Sequence, residues 1–226
     1  METCVPTFGF SAFLKLISLG QRPQRTIVRQ RLRDQSDGYD FHRSLKLRAR
    51  RYLIENEPLD VVLATVAEIP RLPERSSARS GLERLGLWRA RNPGVVVDVG
   101  AALYESPGKT FKVNYTPNFG IEIAGRSVAV HIWNTGKPDL DKRMMFAALS
   151  LFKPIYAVAD DGPDDLSVLS LRDPNAQLFR LSEVEDHTEA GLRLVRRLDD
   201  LFEEVRGEPP RPARRPKDQP GTRPLP

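Results

Sequence analysis

The chain has 226 residues, 40% of them apolar, enough for one sizeable domain or two small ones with a real core and too many for a mini-protein held by staples. Its 35 Lys and Arg against 30 Asp and Glu give a formal charge of +5, a balance expected of a soluble protein with a mild preference for anionic partners. The single cysteine, Cys4, excludes an internal disulfide and a cysteine-built zinc site and fits a cytoplasmic protein; with no apolar run of about 18 residues, no membrane association is expected.

The apolar stretch from Phe8 to Leu19 carries its one positive charge, Lys15, inside the run. No basic residue precedes it and no small-residue cleavage pattern follows, so it reads as a short helix from Ser11, with Phe10, Phe13, Leu14 and Ile17 packed on the body, and not as a secretory leader. An arginine-rich segment follows, Arg22 to Arg33, and ends at a turn-like Asp37-Gly38. From Asp40 to Asn56 a helical wheel puts Phe41, Leu45, Ala49, Tyr52 and Leu53 on one face and Arg43, Lys46 and Arg50 on the other. Pro58 opens a second helix to about Glu68, which Pro70 and Pro73 end, and Ser76 to Arg91 is a third, closed by Asn92-Pro93-Gly94.

From Val95 the period changes to that of strands. Val95 to Glu105, Phe111 to Tyr115, Phe119 to Ile123 and Ser127 to Trp133 are expected to be extended, with turns at Pro107-Gly108 and Ala124-Gly125. In the last of these Val128, Val130 and Ile132 alternate as an apolar face, so His131 and Trp133 emerge together on the other. Asp139 to Phe152 is expected to be a helix, Leu166 to Leu171 and Gln177 to Leu181 strands. Ser182 with Glu185 forms a capping box for a final helix through Leu194, Val195, Leu198, Leu201, Phe202 and Val205. After Arg206 the tail is rich in proline and poor in apolar residues, the composition of a disordered segment. The expected organisation is a basic helical N-terminal extension (1–75), an α/β domain with a mixed sheet (76–206) and a Pro/Arg-rich tail (207–226). Charge divides along these lines, with 17 basic against 10 acidic side chains from Met1 to Arg91, 13 against 18 from Asn92 to Arg206, and 5 against 2 in the tail.

Gly108-Lys109-Thr110 lacks the glycine five residues upstream that a phosphate loop needs, and His42, His131 and His187 do not have metal-site spacing. A more specific signal runs through Ser80-Gly81-Leu82-Glu83-Arg84, Asn92-Pro93-Gly94-Val95, Phe111 to Phe119 with its Tyr115-Thr116-Pro117-Asn118-Phe119, and Val128 to Trp133. It resembles the PD-(D/E)xK restriction-endonuclease-like fold, most closely the TnsA-type transposon endonucleases, over about Ser76 to Leu171. The resemblance implies an αβββαβ core and an Mg²⁺ site built from two carboxylates and a lysine, which polarise the scissile phosphate and orient the attacking water. Only Glu83 matches a functional position; Asn118 stands at the aspartate, His131 at the second acid and Trp133 at the lysine. Asn binds Mg²⁺ far less well than Asp, His prefers softer metals, and Trp has no ammonium. Glu122 shares the face of Asn118 but lies roughly 13 Å along the strand, beyond one metal shell.

The expectation is therefore a catalytically degenerate nuclease-like protein without a resident cofactor, acting as a nucleic-acid-binding or assembly subunit. Arg43, Lys46 and Arg50 are the candidate phosphate contacts for DNA, and the resemblance implies protein partners in a transposition or defence complex. Two alternatives are an active metal-dependent endonuclease with a rebuilt site using Glu83 and His131, and a protein-interaction module that uses Phe8 to Leu19 and the tail. Asn118, His131 and Trp133 form either a relic pocket, with Trp133 as a stacking surface, or ordinary packing.

Overall fold

Alternating apolar residues on both faces of the Ser127 to Trp133 segment demand cover on two sides, and the chain supplies it. The computed structural model describes residues 5–33, 40–172 and 175–208. Its elements in order are β1 (Thr7–Gly9), α1 (Phe10–Ile17), α2 (Gln21–Arg33), α3 (Arg43–Leu53), α4 (Leu59–Ala64) with a 3-10 turn (Thr65–Glu68), and α5 (Leu72–Arg91). There follow β2 (Val96–Val97), β3 (Ala102–Glu105), β4 (Lys112–Tyr115), β5 (Phe119–Ile123) and β6 (Arg126–Trp133), then α6 (Lys142–Ser150) and α7 (Lys153–Ala157). The last are β7 (Asp165–Ser170), β8 (Gln177–Arg180), a 3-10 turn (Leu181–Glu183) and α8 (Thr188–Arg206).

The strands form two mixed sheets, a five-stranded one in the order β2-β5-β6-β7-β8 and a three-stranded one in the order β1-β4-β3. In the larger, β2, β5 and β6 are antiparallel neighbours, β7 runs parallel to β6, and β8 returns antiparallel. The α6 to α7 segment makes the crossover that a parallel pair requires. Val128, Val130 and Ile132 pack into one core with Leu45 and Ala49 of α3, Val62 of α4 and Leu82 and Leu85 of α5. Ala129 and Trp133 face the opposite core, shared with Phe10 and Phe13 of α1, Val113 and Tyr115 of β4, Met145 of α6 and Leu198 and Phe202 of α8. The protein is thus a mixed α/β molecule with a sheet covered on both faces.

Several elements differ from their expected course. Val95 to Glu105 is two short strands, because the chain leaves the large sheet after Val97 and enters the small one at Ala102. Within the first 75 residues, β1 pairs in parallel with β4, and Phe8, Phe10, Phe13 and Leu16 are buried. Residues 21–33 form a helix that buries Gln24 and Val28 and ties Arg25 to Glu204 (2.8 Å) and Glu208 (2.6 Å) at the end of α8. Pro73 opens α5 at its first turn and does not end the helix before it, the one helical place where a missing N–H costs nothing. Asp141 caps α6 through the Met144 N–H at 3.1 Å, and Phe152 ends that segment by starting α7. Ser182 caps no helix. Its N–H donates to the buried Asp165 carboxylate at 3.0 Å and its hydroxyl to the other oxygen of the same group, and α8 starts only at Thr188. The Asp37-Gly38 turn and the tail beyond Glu208 lie outside the described residues.

Candidate functional site

The site to test stands where β5 begins beside the C-terminal half of β6. The chain crosses from the small sheet to the large one through Thr116, Pro117 and Asn118, which brings Asn118 alongside residues 130–132. The Asn118 N–H donates to the Val130 carbonyl at 2.8 Å, and its side-chain Oδ1 accepts from the Ile132 N–H at 2.7 Å. A neutral carboxamide therefore continues the ladder that the strand itself has not yet begun, and that lone pair is committed to backbone.

His131 is 3% exposed. Its Nε2 lies 2.7 Å from the Ser11 hydroxyl in the first turn of α1, and its Nδ1 lies 3.4 Å from the Thr116 carbonyl. Lys46 of α3 donates to the same hydroxyl at 3.3 Å and to Asp40 at 3.2 Å. A carbonyl can only accept, so the proton belongs on Nδ1, and Ser11 donates to Nε2 while accepting from Lys46. Phe10 stands edge-on to the imidazole, ring centroids 5.1 Å apart. Burial, with the Lys46 ammonium adding to it, pushes the imidazole down to about 3, so it is neutral throughout the physiological range. Nearby His42 is pushed down to about 4 by burial and by Lys15.

Trp133 is closed into the core at 1% exposure, and its indole N–H, like the buried Thr135 hydroxyl, meets no partner among the described residues. It offers no stacking surface. Glu83 lies on the exposed side of α5, 3.7 Å from Arg79. Because α5 covers the Val128, Val130 and Ile132 face, its helix stands across the sheet from His131 and Trp133. Glu122 is exposed on β5. Among the described residues no group of three or more His, Cys, Asp or Glu side chains has the arrangement to hold a metal ion. The structure therefore brings Asn118 and His131 together and leaves Glu83 apart.

The basic stripe of α3 divides in the same way. Arg43 is exposed, with no ion pair among the described residues. Lys46 turns inward to Ser11 and Asp40, and Arg50 closes a two-point pair with Asp98 at 2.6 and 3.1 Å. Helical spacing put all three on one face and could not see those partners. Ser11, 120 residues from His131 along the chain, was legible in the sequence as a helix start but not as a partner of His131. Gly108-Lys109-Thr110 is the expected hairpin turn, held by Asp199, which accepts from the Gly108 N–H at 3.0 Å and from the Thr110 hydroxyl.

These features define a mixed α/β protein whose large sheet is sealed by its own N-terminal segment. No protein-family model matches the chain, and no curated protein matches it. Among solved structures, that of SSO0001 aligns with 80% of this chain and 83% of its own at 16% identity and a TM-score of 0.34, a likeness too shallow to carry an argument. Among the described residues no helix is long and apolar enough to cross a membrane.

Proposed function

We propose that the chain is a restriction-endonuclease-like protein whose catalytic positions have become packing positions, and that it works as a nucleic-acid-binding or assembly subunit. The observation that carries the reading is the fate of His131, which stands where the second metal-binding acid is expected and is sealed between Ser11 and the Thr116 carbonyl. The order α5, β2, β5, β6, α6, β7, with three antiparallel neighbours and then a parallel strand, is compatible with an αβββαβ core in which β3 and β4 form an inserted hairpin. A rebuilt metal site has less support, because Glu83 and His131 lie on different sides of the sheet.

The cationic contacts with the strongest claim are Arg22, Arg33 and Arg43, which are exposed and without ion pairs among the described residues, whereas Lys46 and Arg50 are engaged by acids. Binding of the protein to a labelled DNA duplex, measured across salt concentrations, tests this. Each lost phosphate contact lowers the slope of log affinity against log salt by about 0.9. Changing Arg22, Arg33 and Arg43 to alanine is expected to flatten that slope, and changing Arg50 to leave it. Absence of binding at low salt would overturn nucleic-acid recognition.

A further inference from the structure

Helix α2 carries Arg22, Arg25, Arg29 and Arg33 at i, i+3, i+7 and i+11, one stripe of guanidinium groups along a single side. The two middle members meet the end of α8. The Arg25 Nη1 donates to the Glu204 carboxylate at 2.8 Å, and its Nε to Glu208 Oε1 at 2.6 Å. The Arg29 Nε donates to Glu208 Oε2 at 3.1 Å, and its Nη2 to the same oxygen. One carboxylate thus spans two arginines, an oxygen on each. Hydrogen bonds from Arg29 and then from Arg25 hold the Glu208 carboxyl below the usual carboxylate range.

The acids stand where they can move. Glu208 lies past Gly207, the C-cap of α8, and its N–H reaches the Val205 carbonyl at 3.3 Å. The Glu204 side chain is 60% exposed. Besides these ion pairs, α2 is tied to the body by the buried Val28 and by Gln24, whose Nε2 donates to the Leu16 carbonyl at 3.1 Å. A groove of about 450 Å³ between the two helices is lined by Arg22 and Arg197 beside the Arg25–Glu204 pair, and by one further acid, Asp200. Arg22 and Arg197 have no ion pair among the described residues.

We infer that Arg25 and Arg29 are phosphate contacts masked in the free protein, where Glu204 and Glu208 occupy the places that nucleic-acid phosphates take in the complex. The inference deepens the nucleic-acid reading and rests on it. A guanidinium fork accepts a carboxylate or a phosphate with the same two-point geometry, so the Glu208 carboxylate across both arginines imitates the anion it is exchanged for. Ion pairs at a surface add little to stability and weaken with salt, so the exchange costs the fold little. Nucleic acid is favoured over an acidic peptide as the partner. A peptide carboxylate offers nothing that Glu204 and Glu208 do not already supply, whereas a nucleic-acid strand also releases condensed counterions when it binds. Exchange joins Arg25 and Arg29 to Arg22 and Arg33 in one run of four cations.

Binding of a labelled DNA duplex at low salt to four forms of the full chain tests the exchange. These are the wild type, Glu204→Gln/Glu208→Gln, the same pair with Arg25→Ala/Arg29→Ala added, and Glu122→Gln/Glu185→Gln, which removes equal charge from exposed acids elsewhere. Removing the competing acids is expected to tighten binding about tenfold or more, the scale of a charge-assisted contact. Adding Arg25→Ala/Arg29→Ala is expected to cancel the gain, and the control to show almost none. Glu204→Gln alone, at an exposed side chain, is expected to keep the wild-type circular dichroism and to show a smaller gain, so the comparison stands even if the double variant unfolds. Wild-type binding that loss of the acids leaves unchanged, a gain matched by the control, or a gain that survives Arg25→Ala/Arg29→Ala overturns the exchange while leaving nucleic-acid binding intact. Absence of DNA binding by every form overturns both. A gain for poly-glutamate with none for the duplex overturns nucleic acid as the partner.

Discussion

At His131 a single buried imidazole links three parts of the chain, the first turn of α1 through Ser11, the crossing segment through Thr116, and β6 itself. Because burial holds it neutral, with a value of about 3 when folded, against about 6.5 when the chain is unfolded, the unfolded chain takes up the proton first. His42, at about 4 beside Lys15, Lys46, Asp40 and Glu74, behaves alike. The stability each contributes is complete above about pH 6.5 and is lost as the pH falls toward the folded value, at up to about 1.4 kcal/mol per pH unit for each group. Urea midpoints measured between about pH 7 and pH 5 should fall, and His42→Gln should make the decline shallower; a flat profile would contradict the neutral assignment. Ser11→Ala leaves Nε2 without its donor in a buried site and is expected to cost about 1 to 3 kcal/mol by the same denaturation measurement. Strand alternation made the orientation of His131 and Trp133 legible in the sequence. Their occupants were not, since a partner 120 residues distant leaves no periodic trace.

Helices that pack through their own apolar stripe were read well. Leu45, Ala49 and Leu53 of α3 and Leu194, Val195, Leu198, Phe202 and Val205 of α8 are buried as their spacing required. α2 was missed because it buries only Gln24 and Val28 and is docked by charge instead, Arg25 and Arg29 reaching Glu204 and Glu208. Pairing of that kind lies outside any hydrophobic pattern. Ser182 and Glu185 had the spacing of a capping box, but the buried Asp165 carboxylate needs donors more than a helix there needs a cap. Helix α8 comes close to the backbone of α6 at Gly191, where an added Cβ would stand 2.5 Å from the Ala147 carbonyl oxygen. Backbone cannot yield as a side-chain tip does, so Gly191→Ala should force α6 and α8 apart at a cost of about 1 to 3 kcal/mol. Thermal unfolding checks this, and a variant as stable as the parent would mean the two helices are not held at that distance.

Over the whole molecule, the +5 charge conceals an uneven distribution that the fold then folds back on itself. The N-terminal 91 residues are basic and the following segment acidic; Arg25 and Arg50 of the first pair with Glu204 and Asp98 of the second, and Arg25 and Arg29 also reach Glu208 just beyond it. Among the described residues, Arg22, Arg33 and Arg43 are exposed N-terminal arginines with no ion pair, and these are the proposed contacts for a polyanion. The sequence carried the alternation of helices and strands and the mixed character of the sheet; it did not carry the division into two sheets. That division follows from the chain leaving the large sheet after Val97, and the small sheet is completed by β1 pairing with β4 across more than a hundred residues. The proposed role is that the chain binds nucleic acid without cutting it. Its most direct test is incubation of the full chain with labelled duplex and single-stranded DNA in Mg²⁺ and in Mn²⁺, with and without a chelator. DNA that is retained and uncut under every condition is the expected result; cleavage that the chelator abolishes, and that survives purification of the protein to constant specific activity, would contradict the proposed role.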